Sequence, residues 1–173
     1  LNDIKYFKIM KLDGLFTDKK KEVSHDNIGS FFFNYELFQI LQSINSKNSK
    51  YSGRLLAEEG DEQTISYKIK LDNGIIISGK FNYNKEDKGI SYFESNYNQA
   101  NYKILKKETT DGKKYDYKVG DIKTVFEFYK KDGKYIISQS NYEGDNFVIT
   151  YEDEKYTNKF MRQITYNTFN QSD

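Results

Sequence analysis

The sequence contains no cysteine, no proline and no tryptophan, and only one histidine. Without cysteine there is no disulfide, no thiolate nucleophile and no cysteine-based metal site. The lone histidine, His25 in "VSHDN", cannot build a typical zinc site by itself. Its Ser and Asp neighbours do not make a catalytic triad, which is a spatial arrangement rather than a run of adjacent residues. Those neighbours are helix-cap types, so His25 reads as a loop or cap residue. Without proline, every reversal must be made by Gly, Asn, Asp or Ser. No apolar run approaches the length of a membrane span, and no signal-peptide pattern stands at the start. A chain opening at Leu1 rather than Met is expected for a removed export signal or lipoprotein tether, or for an engineered boundary.

An excess of either charge is missing too: 27 basic residues stand against 26 acidic ones, a net charge of +1. The two signs are interleaved along most of the chain, so composition offers no long-range field for a polyanion, and nucleic acid is not an expected partner. The short runs "DKKKE" (Asp18 to Glu22) and "EEGDE" (Glu58 to Glu62) read as solvated loops.

What is abundant is aromatic. Mean hydropathy is −0.88, yet 16 Tyr and 13 Phe make up 17% of the 173 residues and carry the burial that Leu and Val usually supply. The length fits one domain with its own core. The wealth of Lys, Asn, Ile and Tyr suggests an AT-rich bacterial genome. An extracellular or cell-surface location is the expectation, with the cytoplasm as the alternative.

From Gln63 onward the hydrophobic period is two. "TISYKIKL" sets Ile65, Tyr67, Ile69 and Leu71 on one face and Ser66, Lys68 and Lys70 on the other, as a strand with one wet face requires. "DNG" (Asp72 to Gly74) follows, and Asn-Gly is the strongest short hairpin signal. The return strand "IIISGKFNY" places Ile75, Ile77, Phe81 and Tyr83 on one side. Further strands are expected over "GISYFES" and "NYKILKKET", over "KKYDYKV" and "IKTVFEFYK", and over "KYIISQSNY", "NFVITYE" and "NKFMRQITYNTF". Turns are expected at Asp111-Gly112, Gly120-Asp121, Asp132-Gly133 and Glu143 to Asp145. Such spacing reads as an antiparallel meander.

The front differs. "DIKYFKIMKL" (Asp3 to Leu12) reads as a strand ending at Asp13-Gly14. Over Ser30 to Ser46, Phe33, Leu37, Ile40, Leu41 and Ile44 recur at helical spacing, with Phe31, Tyr35 and Phe38 as a second stripe and Ser30 as N-cap. A strand over Phe31 to Leu37 is the rival, because those positions also alternate. So wide an apolar helix has to be covered, and the sheet is the large partner on offer.

Two stretches share a frame: "DNGIIISGKFNY" and "KDGKYIISQSNY" place Asn-Tyr at the same distance beyond turn glycines Gly74 and Gly133. The frame resembles the YwqK-like antitoxin repeat, a variant of the MORN repeat, in which strand, "DG" or "NG", strand and "NY" recur. The resemblance covers those two stretches alone and departs from the repeat where the glycine after the second strand survives only as Gly144. It implies a repeated hairpin unit and no family membership.

No catalytic, cofactor or metal constellation emerges. "GRLLAEEG" lacks the Gly-Lys-Ser/Thr ending of a phosphate loop, and neither acidic cluster has EF-hand spacing. The expectation is therefore an α+β, mainly β, single domain. Residues 1–25 are a strand-and-turn lead-in, 26–48 a helix, and 51–173 an antiparallel meander of about eight to ten strands, with curling into an open barrel as an option. Its expected function is non-enzymatic binding of a macromolecule, protein or carbohydrate, through an aromatic-rich sheet face, with Tyr129 and Tyr142 as candidate contacts. The alternatives are a lipocalin-like barrel around a small apolar ligand and a hydrolase using two carboxylates about 5 to 10 Å apart.

Overall fold

The computed structural model describes residues 25–165, with side chains from residue 31. The strand expected over Asp3 to Leu12, the run at Asp18 to Glu22 and the chain after Thr165 lie outside the described residues. One helix, α1 (His25–Ile44), precedes nine strands: β1 (Lys50–Glu59), β2 (Glu62–Lys70), β3 (Ile76–Asn84), β4 (Ile90–Asn98), β5 (Leu105–Glu108), β6 (Lys114–Lys118), β7 (Asp121–Lys131), β8 (Lys134–Tyr151) and β9 (Glu154–Thr165). All join one antiparallel sheet, in the order β1-β2-β3-β4-β7-β8-β6-β5, with β9 also paired to β8.

This order hides a simpler plan. Lys118 faces Val148 and Asp121 faces Asp145, so β6 and β7 lie end to end along β8 in one unbroken register. β5 continues the line of β4, though not in one register, since β4 pairs with β7 and β5 with β6. The chain is a meander of long lines, two of which are interrupted. The interruptions align in a seam. The Gln99 backbone N–H donates to Asp121 Oδ1 at 2.9 Å, its side-chain amide donates to the Gly120 carbonyl at 2.8 Å, and Asn146 Nδ2 donates to Asp121 Oδ2 at 3.2 Å.

The seam corrects two expected turns. Gly120-Asp121 does not reverse the chain, and neither does Glu143 to Asp145: β8 runs straight through Gly144 with a bulge before Phe147. Both glycines are there for close approach. A Cβ on Gly120 would meet the Asp145 carbonyl oxygen at 2.0 Å, and one on Gly144 would meet the Phe160 ring at 2.3 Å. The reversal after β8 is made instead by Glu152 and Asp153, both at positive φ (49° and 65°). At Asp132-Gly133 both residues do adopt positive φ (51° and 76°), the conformation a two-residue hairpin asks for. At the "DNG" hairpin only Gly74 does.

The sheet does not close into a barrel: β1 and β9 are edges among the described residues.

The helix reading prevails over the strand reading at Phe31 to Leu37, but Ser30 is not the N-cap. The helix begins at His25, so Ser30 sits a turn and more inside it. One face of α1 packs on the sheet. Phe33 meets Phe93, Phe126 and Phe128 edge-on, with ring centroids 5.5, 5.2 and 4.9 Å away. Ile40 joins Ile69, Ile77, Phe93, Phe126 and Ile137 in the buried core. A carboxylate is buried with them: Glu36 accepts a 2.5 Å hydrogen bond from Ser95, which has no exposed surface. The neighbouring Tyr97 hydroxyl is buried beside it, and burial first, then the Glu36 charge and a hydrogen bond to that side chain, push its ionisation well up. Tyr67 crosses the bare backbone of Gly79 to donate to the Glu94 carbonyl at 2.9 Å, so its ring fills what a side chain there would occupy. This face of the sheet is the inner face. The opposite, outer face carries no helix among the described residues.

Candidate functional site: an aromatic ladder beside an edge strand

The two tyrosines singled out from the sequence are not one site. Tyr142 pairs with Thr124 and Arg162 and points to the inner face, whereas Tyr129 alternates with the core residue Phe128 and points to the outer one. Strand alternation alone separates them.

Tyr142 lies in the middle of a continuous row of rings. From α1, Phe31 meets Phe32 edge-on at 5.8 Å. The Arg162 guanidinium sits 4.3 Å over the Phe32 ring and 5.3 Å from that of Tyr142. Tyr142 stacks on Phe160 at 5.3 Å, Phe160 meets Phe147 at 5.5 Å, and Phe147 stacks on Tyr117 at 6.5 Å. Lys107 ends the row, 5.3 Å over Tyr117. Burial pushes the Tyr142 hydroxyl up, with the Arg162 charge pulling against it, so the ring faces its partners as a neutral phenol.

Local structure dictates this row. Tyr117 faces Ile149 across β6 and β8, and Ile149 faces Tyr156 across β8 and β9, so the three side chains share the inner face. Gly144 faces Phe160 and supplies no side chain, which lets the Phe160 and Phe147 rings lie flat over the seam. Beyond the seam α1 no longer covers the sheet. Ile149 is 39% exposed and Tyr156 53%, and the outward stripe of α1 is as open, with Phe31 at 65% and Tyr35 at 56%.

The helix is therefore apolar on both sides, one against the core and one in water. A helix of that kind is ordinarily covered on both. Together, the exposed outward stripe of α1, the half-buried rings of the ladder and the exposed Ile149 and Tyr156 form an apolar corner, and its far side is the free edge of β9. Rings with few rotamers, flanked by Arg162 and Lys107, are suited to non-covalent contact. Among the described residues, no three His, Asp or Glu side chains converge as a metal site would need.

Sequence reasoning reached Tyr142 and missed Tyr117, Phe147, Phe160 and Arg162. The usable signal was Gly144: a glycine between two strong strand segments marks a close approach as readily as a turn. Comparison with protein-family models, with curated proteins and with solved structures gives no match to this chain.

Proposed function

We propose that this chain is a non-enzymatic binding module that takes an extended polypeptide segment of a partner protein along β9, with alternate apolar side chains laid on the aromatic ladder. The observation that carries the reading is the coincidence of the two features. The apolar corner, half-buried along the ladder and exposed at Ile149 and Tyr156, ends at a twelve-residue edge strand whose outer N–H and C=O groups have no sheet partner among the described residues. Addition of a strand supplies main-chain hydrogen bonds, and the ring surface reads every second side chain. Tyr and Phe give large contact area at low entropic cost, which suits an open surface better than an enclosed pocket.

The test is selection of displayed linear peptides on the purified protein, followed by titration of the winners under NMR observation. Winners are expected to alternate apolar and polar residues, to shift the β9 amides, and to bind at least about tenfold more weakly to the Ile149→Lys, Tyr156→Lys double variant. Peptides that bind the double variant as well as the parent, or that shift amides elsewhere only, refute the reading.

A further inference from the structure

The outer face of β1 to β4 carries its own chemistry. Pleating sends every second residue there, and cross-strand register collects them. Ser52, Lys68, Ser78 and Asn96 lie in one row, and Arg54, Ser66, Lys80 and Glu94 lie in the next. These two rows line an open depression of about 550 Å³, floored by the bare backbones of Gly53 and Gly79. Lys50 and Lys70 pair in the row beyond, and Lys123 faces Asn96 on the β7 side. Of these cations only Lys123 is in an ion pair among the described residues, at 3.8 Å from Glu94. Glu94 is itself engaged, accepting from Tyr92 at 2.7 Å and from Asn96 at 3.0 Å.

We infer that this depression binds an anionic polysaccharide, its sulfate or carboxylate groups taken by Arg54, Lys68 and Lys80 and its hydroxyls by the serines and Asn96. Three features select this ligand class. The depression reaches across four strands, about 14 Å at the usual interstrand spacing, which exceeds a lone oxyanion and suits a chain. The cation rows recur every second residue, about 7 Å apart, so successive anionic groups of an extended polymer meet successive rows. Hydroxyl and amide groups lie between the cations, with Leu56 at the β1 side, and the rings nearest them are engaged: Lys80 lies 5.6 Å over Tyr92, whose hydroxyl donates to Glu94, and Tyr67 packs against Phe81 and Phe93 on the inner face. The site faces away from the aromatic ladder, so it stands or falls independently of the peptide reading.

The probe is a short dextran sulfate, with unsulfated dextran and a single-stranded oligonucleotide as comparison arms, each titrated by calorimetry at rising salt. Dextran sulfate is expected to bind with an affinity that falls as salt rises, and unsulfated dextran not to bind. The Arg54→Gln, Lys68→Gln, Lys80→Gln triple variant is expected to bind about tenfold or more weakly. The charge-preserving Arg54→Lys, Lys68→Arg, Lys80→Arg variant is expected to retain binding, as is a Lys106→Gln, Lys113→Gln control on the β5–β6 hairpin. Absence of dextran sulfate binding, equal loss in the control, or tighter binding of the oligonucleotide overturns the inference.

Discussion

Phe33 and Phe31 are two residues apart on α1 and have opposite fates, which makes them a sharp test of how the helix is used. The Phe33 ring is gripped edge-on by Phe93, Phe126 and Phe128 at 4.9–5.5 Å. Each such pair contributes about 0.5–1.5 kcal/mol beyond the area it buries. Phe33→Leu keeps most of the apolar volume and loses the edge contacts, so it is expected to cost about 2–4 kcal/mol, while Phe33→Ala adds a cavity and moves toward about 3–5 kcal/mol. Phe31 is 65% exposed, and Ser has a helix propensity close to that of Phe, so Phe31→Ser is expected to stay within about 0.5 kcal/mol. The assay is urea unfolding of the three variants followed by far-UV circular dichroism, comparing midpoints at unchanged slope. If Phe31→Ser costs as much as Phe33→Leu, the outward stripe is already covered in the free protein, and the aromatic corner is not an open surface. If Phe33→Leu is neutral, the ring is not what fastens α1 to the sheet.

Two further outcomes follow from the buried and bridged carboxylates. Glu36→Ala strips the Ser95 hydroxyl of its acceptor and is expected to cost about 1–3 kcal/mol, part of which returns in the Glu36→Ala, Ser95→Ala double variant. Strict additivity in the double-mutant cycle contradicts the contact. For Glu94, burial raises the carboxyl, but the hydrogen bonds from Tyr92 and Asn96 and the charges of Lys123 and Lys80 outweigh it, so its pKa falls below the usual 4.5. A depressed folded-state pKa contributes stability that is present above the unfolded value and is lost as pH falls through the folded one. The acid limb of a stability-against-pH curve is therefore expected to flatten below about pH 4.5 in Glu94→Gln, and an unchanged limb refutes the assignment.

The fold was largely legible because its grammar is local. Alternation over Ile65 to Leu71 and the glycines at 112 and 133 are statements about single strands and single turns, and they hold. The two misread turns share one cause. Gly120 and Gly144 carry the same local signature as a turn glycine, and what separates them is the position of Phe147 and Phe160, a fact about cross-strand register that no short window contains. Tyr129 and Tyr142 look alike in sequence because both are strand tyrosines, and it takes the pairing of Tyr142 with Thr124, together with the placing of α1, to show that alternation sends them to opposite faces. The row through Tyr142 was beyond reach because its members come from α1, β6, β8 and β9.

Net charge is just as silent about placement. A sum over 27 basic and 26 acidic residues is close to zero and says nothing about where the charges stand. Acids gather around the first hairpin, at Glu58, Glu59, Asp61 and Glu62, and in the loop after β3, at Glu86 and Asp87, while Glu94, Glu127 and Glu143 sit mid-strand. The cations of β1, β2 and β3 sit mid-strand at even spacing, at Arg54, Lys68 and Lys80, where a period of two sends them all to one side. A sheet covered by one helix must leave its other face to water, and solvated side chains of either sign would satisfy that requirement. Folding alone asks for polarity there, whereas the depression holds three cations without an ion pair among the described residues and one carboxylate, Glu94, a local surplus of positive charge. That surplus, and not the composition, is what makes the outer face a candidate for recognition.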